Sequence, residues 1–581
     1  MNHHILDNST SYDHIRQKLA AIYGEEQAPS ILQQLIALVG NTTSSPSRKL
    51  SRSEKDVMLI CYGDHVRRDG ETPLQTLHQF LRDTLHPEIN TVHILPFYPY
   101  SSDDGFSVID YYAVNPDFGS WDDVAALSSE FQLMFDAVFN HISSQSAWFQ
   151  GFLRGEQPYT DYFVTVEPDT DLSAVVRPRS LPLLTTFETA HGVKYVWTTF
   201  SEDQIDLNFA NPDVLIEMLK VLLFYVKQGA RFIRLDAIAF LWKVPGTSSL
   251  HLPETHLIIQ LMRDVLDLIA PETVIITETN VPHQENLSYF GDGYNEAQLV
   301  YQFSLPPLIL HSLYTGNATK LTQWATTIER VREQTTFFNF TASHDGIGLR
   351  PATGILTDDE IQALVEMTEQ HGGHVSYKDN SDGSKSPYEL NITYFDAITH
   401  PDITAQHPEL AVQRFMVSQA MMLAVIGMPG IYFNNMFGLR NDYDGVAKTG
   451  RFRSINREKF DADSLLHDLS DERSIRHKVY SQYKRLLKIR TEESAFHPLG
   501  EQSVLNLHPA LFALHRTSPS GEAHIIALHN VTEKTISVEI PHMSESSWHD
   551  LFTGTAYLAH DGNLSLSLQP YQIVWLKPSQ D

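Results

Sequence analysis

Cysteine is almost absent from this chain: Cys61 is the single one among 581 residues. An internal disulfide is therefore excluded, which fits a reducing cytoplasm. Cys61 closes the apolar run Val57-Met58-Leu59-Ile60 and reads as a buried, inert thiol. Positive charge is also scarce, with 42 Lys and Arg against 71 Asp and Glu and a formal charge of −29. A field of that sign disfavours nucleic acid and anionic membrane as partners, and an anionic ligand needs a local basic pocket. The start Met1-Asn2-His3-His4-Ile5-Leu6-Asp7 lacks the basic and apolar regions of a signal peptide, and no apolar run is long enough to span a membrane. The expected location is the cytoplasm. Internal repeats and low-complexity tracts are missing as well. The content of 42% apolar and 10% aromatic residues is ordinary for a globular protein, and the length predicts two or more domains.

The apolar pattern is informative. Tyr12 to Val39 carries Ile15, Leu19 and Ile22, then Ile31, Leu35 and Leu38, at helical spacing. The polar stretch Asn41 to Ser53 reads as a linker. Eight candidate strands follow: Asp56 to Cys61, Thr91 to Pro96, Gln132 to Phe139, Arg231 to Asp236, Thr273 to Glu278, Leu299 to Phe303, Phe337 to Ser343 and Gly430 to Phe433. Alternation with helical segments predicts an α/β fold, a (β/α)8 TIM barrel with inserted loop domains. Two connections, His141 to Phe200 and Gly346 to Thr399, are too long for simple loops and show little helical period. After Ala495 short alternating strands predict a C-terminal antiparallel β domain. The expected organisation is a helical extension and linker over 1–52, barrel segments at 53–141, 201–345 and 401–494, insertions at 142–200 and 346–400, and the β domain at 495–581.

Three segments carry the chemistry: Arg234-Leu235-Asp236, Thr277-Glu278-Thr279 and Ser343-His344-Asp345. Each places a carboxylate at the end of a predicted buried strand, and acids at the C-terminal ends of barrel strands are usually catalytic. Arg234 and Asp236 are two apart, so they share a face. The guanidinium is expected to hold Asp236 ionised, as suits a nucleophile. Glu278, in a partly dry site, is expected to have a raised pKa and to act as a general acid. One nucleophilic and one proton-donating carboxyl, about 5–5.5 Å apart, equip a retaining glycoside-processing enzyme. Asp345, beside His344, is placed to grip sugar hydroxyls. Taken singly, Arg-x-Asp reads as a structural ion pair; the three acids together do not.

Asp136-Ala137-Val138-Phe139-Asn140-His141, Arg234-Leu235-Asp236, Glu278 and His344-Asp345 resemble the short conserved regions of the α-amylase family, glycoside hydrolase family 13. The resemblance runs from about Asp56 to the C-terminus. It implies Asp236 as nucleophile, Glu278 as acid/base and Asp345 as transition-state stabiliser, with Asn140, His141, Arg234 and His344 lining the glucose subsite. Longer motifs, Val92-His93-Ile94-Leu95-Pro96-Phe97, Asp103-Asp104-Gly105-Phe106, Arg177-Pro178-Arg179, His344-Asp345-Gly346-Ile347-Gly348 and Arg453-Ser454-Ile455-Asn456-Arg457, are similar to the sucrose phosphorylase subfamily. That subfamily transfers glucose from an α-glucoside to inorganic phosphate. The resemblance implies that Asp103 and Arg453 clamp the distal hydroxyls of glucose, with Phe200 and Glu389 also binding substrate.

Arg177, Arg179 and Tyr388 are the expected phosphate and acceptor contacts, because Arg binds phosphate as a planar fork. Arg-Pro-Arg alone reads as a solvated turn. Trp197 and Phe200 are candidates to stack on sugar or to fill core. The stretch Ser386-Pro387-Tyr388-Glu389-Leu390-Asn391, after Lys378 and Lys385, departs from the sucrose-specific pattern, with Ser and Glu standing where the sucrose enzymes carry Asp and Gln. It looks closer to the branch that phosphorolyses glucosylglycerate. No cofactor is implied. Asp136 and Asn140 lie in no oxygen-ligand cluster of calcium-loop spacing and read as structural. The expected partners are an α-glucoside and phosphate, with the chain a monomer or homodimer. The rival readings are an α-glucosidase, sucrose hydrolase or transglucosidase using the same carboxylates, and a non-catalytic binding protein on the same fold.

Overall fold

Eight short segments rich in apolar and β-branched residues are buried along nearly their whole length and close into a parallel barrel. They are β1 Met58–Cys61, β2 Thr91–Ile94, β3 Gln132–Ala137, β4 Ala230–Leu235, β5 Val274–Thr277, β6 Leu299–Tyr301, β7 Thr336–Asn339 and β8 Met428–Tyr432. The computed structural model describes residues 8–42, 52–179, 181–328, 332–380, 383–543 and 545–579. Neighbours in sequence are neighbours in the barrel, and β8 returns to pair with β1. The (β/α)8 barrel expected from the strand pattern is therefore present. Several strands stop short of their expected C-terminal ends: β4 at Leu235, β5 at Thr277 and β7 at Asn339. Beyond those residues the backbone leaves the ladder to build the rim where Asp236, Glu278 and Asp345 sit. Register sets Arg234 of β4 opposite Asp136 of β3 and Ile276 of β5.

The N-terminal segment forms the expected two helices, Asn8–Tyr23 and Ala28–Gly40. They bury Ile15, Leu19, Ile31 and Leu35 against the barrel helices Pro253–Ile269 and Pro212–Lys227. Lys18 Nζ lies 2.6 Å from Asp264 Oδ2, and the Tyr23 hydroxyl donates to the Phe209 carbonyl at 2.9 Å. Most of the expected linker, 43–51, lies outside the described residues.

The first long connection carries a three-stranded antiparallel sheet of Thr165–Val166, Gly192–Trp197 and Leu184–Thr189. The second carries a sheet of Ile347–Gly348, Lys385–Asn391 and His374–Asp379. It also holds a 13-residue helix, Asp358–Gln370, although the pattern there suggested little helix. The overlooked signal is a capping box: Thr357 Oγ1 accepts from the Glu360 N–H, and Glu360 accepts from the Thr357 N–H. The last helix ends at Glu492, and beyond it lie a six-stranded antiparallel sheet and the two-stranded pair Ile536–Ile540 and Leu564–Leu568. Their alternating inward residues, Val538, Ile540, Leu564 and Leu566 among them, build a separate core. Among the described residues no helix is long and apolar enough to cross a membrane.

One buried cation ties the first insertion to the barrel. Lys243 Nζ lies 2.8 Å from Asp206 Oδ2 and 2.7 Å from Asn140 Oδ1. Asp206, fully buried, also accepts from the backbone N–H and the hydroxyl of Thr199 at 2.8 and 2.6 Å. Removing one member of a buried pair strands the other charge. Lys243→Met is expected to destabilise the fold by about 3–5 kcal/mol, seen as a lowered thermal midpoint, and adding Asp206→Asn is expected to recover part of that loss. A Lys243→Met variant with unchanged melting would remove this role.

Candidate active site

The C-terminal rims of β3, β4, β5 and β7 face one cavity. Asp236 follows directly on β4 and Glu278 on β5, while Asp345 comes six residues after the end of β7. All three line the cavity. Arg234, 2% exposed, lies beneath them. Its Nη1 donates to Asp236 Oδ1 at 2.7 Å and also to Asp136 Oδ1. The other oxygen of Asp136 meets His93 Nε2 at 2.6 Å. The rings of Phe106 and Tyr301 flank the Arg234 guanidinium at 5.7 and 5.5 Å, which screens it from water and fixes its plane.

Ala237, next after Asp236, takes a left-handed conformation, φ 49° and ψ 29°, at a cost of about 1 kcal/mol for a residue with a Cβ. That turn aims the Ala237 N–H at Glu278 Oε2, 3.0 Å away. Strain of this kind persists where the surroundings enforce it, commonly at functional sites.

Arg234 was expected to hold Asp236 ionised and oriented; it does bond Asp236, but its pull works against a larger effect of burial. Burial pushes Asp236 up to about 8, because the one charge of Arg234 is shared with Asp136 and Glu278 repels a second anion. Glu278 is also raised, chiefly by burial, with Asp345 adding repulsion. Ionisation of one carboxyl opposes ionisation of the other, so the two titrate together. Asp236 touches a guanidinium, whereas Glu278 accepts only a backbone N–H. The charge is therefore better placed on Asp236 and the proton on Glu278.

The far wall is a lattice of alternating charges. Arg453 Nη1 lies 2.6 Å from Asp345 Oδ1, and its Nη2 lies 3.0 Å from Glu389 Oε1. Burial alone would raise Asp345, but the guanidiniums of Arg453, Arg457 and Arg234 hold it well below the usual range. Asp103 is likewise depressed: burial opposes this, but Arg179, Arg457 and Arg453 prevail. Arg179 Nη2 is 3.3 Å from Asp103 Oδ2 and its guanidinium sits 5.6 Å from the Phe200 ring centre. The Asp103 turn depends on Gly105, φ 114°, where a Cβ would stand 2.5 Å from the Pro96 carbonyl. His344 stacks on Phe106 with centroids 4.8 Å apart. Burial lowers His344 to about 3 and His141 to about 4, so both are neutral. His141 Nε2 bonds the Phe106 carbonyl at 2.9 Å.

Of the residues singled out in the sequence, Asp103, His141, Arg179, Phe200, Asp236, Glu278, His344, Asp345, Tyr388, Glu389 and Arg453 line the cavity. Arg177 does not. Its guanidinium turns to the Leu181 carbonyl, so the two arginines do not act here as one clamp. Glu389 was expected to meet substrate, but both its oxygens are committed. Oε1 accepts from the Gly346 N–H at 2.7 Å and Oε2 from Arg453 Nε at 3.1 Å. Trp197 is core, packed with Val175 and Leu183. Asn140 is buried with Lys243 rather than in the cavity. Ser386 accepts from Asn380 Nδ2 at 2.7 Å outside the cavity. The lining residues that sequence reasoning missed include Gln204, Asn280 and Arg350. Asn280 and Arg350 each follow a recognised motif by a few residues, while Gln204 is brought in by tertiary folding alone. Among the described residues no group of three His, Cys, Asp or Glu side chains is arranged to hold a metal ion.

The family model for the α-amylase catalytic domain matches residues 85–366. A glucosylglycerate phosphorylase of Spirochaeta thermophila is 46% identical, covering 98% of this chain and 99% of that protein. One from Allomeiothermus silvanus is 45% identical over 97% of this chain and 98% of its own length. Among solved structures, a sucrose 6F-phosphate phosphorylase from Thermoanaerobacter thermosaccharolyticum superposes with a TM-score of 0.72 at 22% identity, covering 90% of this chain and 99% of that one. The chain belongs to the α-amylase family, glycoside hydrolase family 13, on the branch that holds the glucosylglycerate phosphorylases.

Proposed function

We propose that this protein is a retaining α-glucoside phosphorylase that acts on glucosylglycerate and releases α-D-glucose 1-phosphate and glycerate. The observation that carries the reading is the Asp236–Glu278 pair. The two carboxyls follow neighbouring barrel strands and line one cavity, with Asp236 accepting from Arg234 at 2.7 Å and Glu278 from the Ala237 N–H at 3.0 Å, and desolvation raises both. Relatives named for glucosylglycerate phosphorylase over essentially the whole chain support the substrate.

In this mechanism Asp236 Oδ attacks the anomeric carbon as Glu278 gives its proton to the glycosidic oxygen, and glycerate departs as an alcohol. The product is a β-glucosyl ester on Asp236. A phosphate oxygen then attacks the same carbon from the opposite face, breaking the ester and restoring the α configuration. Phosphate arrives already ionised, so this second step needs no general base. The depressed Asp345, held by Arg453, keeps full negative charge against the positive charge that develops on the sugar ring. Asp103, His141, His344, Arg453 and Phe200 hold the glucosyl unit. Arg179 is the phosphate contact, its guanidinium in the cavity wall beside Phe200.

Glucosylglycerate incubated with excess phosphate is expected to give glucose 1-phosphate as the main sugar product; free glucose in its place would establish a hydrolase. The acid must be protonated to act, so kcat/KM is expected to fall as pH rises through the elevated pKa of the pair. Glu278→Gln is expected to remove that basic limb and to slow turnover of an ordinary glucoside by about 10²–10⁴-fold. A variant with wild-type rate would end the acid assignment. Arg179→Gln is expected to raise the KM for phosphate about 10–100-fold, the worth of a charge-assisted hydrogen bond. Arg177→Gln is expected to leave it nearly unchanged; equal effects in both would restore the two-arginine clamp.

A further inference from the structure

Among the described residues, the cavity contains one guanidinium with no hydrogen-bond acceptor. Arg453 is committed to Asp345 and Glu389, and Arg179 to Asp103. Arg350 also lines the cavity, yet among the described residues its nearest carboxylate oxygen is Glu285 Oε2 at 3.7 Å, beyond hydrogen-bond reach. That oxygen already meets His251 Nε2 at 3.0 Å, and the Glu285 side chain is 44% exposed. Arg350 is thus steered by Glu285 rather than neutralised by it. A half-buried guanidinium with free donors facing a substrate cavity is an anion receptor.

The backbone holds Arg350 in place. The short strand Ile347–Gly348 pairs with Leu390 and Glu389, and the Leu349 N–H donates to the Tyr388 carbonyl at 3.0 Å. Ser304 Oγ donates to the Pro351 carbonyl at 2.9 Å on the other side. Gly348 lies flat on Asn280: a Cβ there would stand 2.9 Å from both amide atoms of that side chain. Asn280 also lines the cavity, and among the described residues its buried Oδ1 has no hydrogen-bond partner. Asn280 follows Glu278 by two residues. The acid must face the leaving oxygen, so the wall continued by Asn280 and Arg350 is the leaving-group side. Lys378 adds positive charge nearby. Its ammonium is lowered first by burial and then by the charge of Arg350, and no ion pair or hydrogen bond engages it among the described residues.

The geometry points to Arg350 as the residue that selects an acceptor bearing a carboxylate, with the Asn280 amide receiving a hydroxyl of the same acceptor. This assignment rests on the glucosylglycerate reading above and adds to it the side chain that discriminates glycerate from the neutral triol glycerol. Phosphate is the other anion the site must admit, so the test separates the two.

The test runs the reaction in the synthetic direction, with glucose 1-phosphate as donor and either D-glycerate or glycerol as acceptor, and compares the two kcat/KM values. Arg350→Gln is expected to lower the glycerate-to-glycerol ratio about 10–100-fold. Arg350→Lys, which keeps the charge but not the planar fork, is expected to retain part of the preference and guards against a variant that fails to fold. The KM for phosphate in phosphorolysis is expected to change little. A preference kept in full by Arg350→Gln would overturn the assignment. So would a rise confined to the phosphate KM, which would make Arg350 a phosphate ligand. Wild-type protein with no preference for glycerate would instead defeat the substrate reading itself.

Discussion

The site depends on how one buried positive charge is divided. Arg234 stands between Asp136 and Asp236, with only 2% of its surface exposed. An unpaired ion at that depth costs several kcal/mol, so all three side chains are fixed by one another. Closure of the barrel makes the arrangement possible, because register sets Arg234 of β4 beside Asp136 of β3. The division has a chemical consequence. A guanidinium serving Asp236 alone would hold it strongly acidic. Shared with Asp136, it leaves burial and the Glu278 repulsion to dominate, and Asp236 is raised.

Environment also splits the cavity carboxyls into two classes. Asp236 and Glu278 are raised, while Asp103 and Asp345, lining the same cavity, are driven down by Arg179, Arg453 and Arg457. Carboxyls pushed in opposite directions thus stand in one cavity, as in other sites where neighbouring carboxyls titrate apart. The chain as a whole carries −29, and the cavity lining itself sets five carboxyls, Asp103, Asp236, Glu278, Asp345 and Glu389, against three arginines, Arg179, Arg350 and Arg453.

Much of the fold was legible in the sequence because its signals are local. Buried parallel strands appear as short continuous apolar runs, and all eight were identifiable on that ground. Their ends were less clear, since nothing in the run marks where pairing stops and the rim begins. The helix Asp358–Gln370 was obscured by a polar surface, although Thr357 and Glu360 announced its start. Within the site, the acids at strand ends and the residues of the longer motifs could be named in advance. The directions of Arg177 and Glu389 could not. Arg177 turns to the Leu181 carbonyl two residues beyond Arg179, and Glu389 folds back on Arg453 and Gly346. Both outcomes rest on which partner lies within reach.

The barrel, the C-terminal β domain and the identity of the three central carboxylates follow from local sequence, because period, strand composition and chemical type are properties of neighbouring residues. Three-dimensional packing was needed to show that burial raises Asp236 while arginines depress Asp345, that Arg179 rather than Arg177 meets the cavity, and that Arg350 faces it with no hydrogen-bond acceptor among the described residues. Those outcomes depend on burial and on distances of a few ångströms between residues far apart in the chain, which spacing along the chain does not encode.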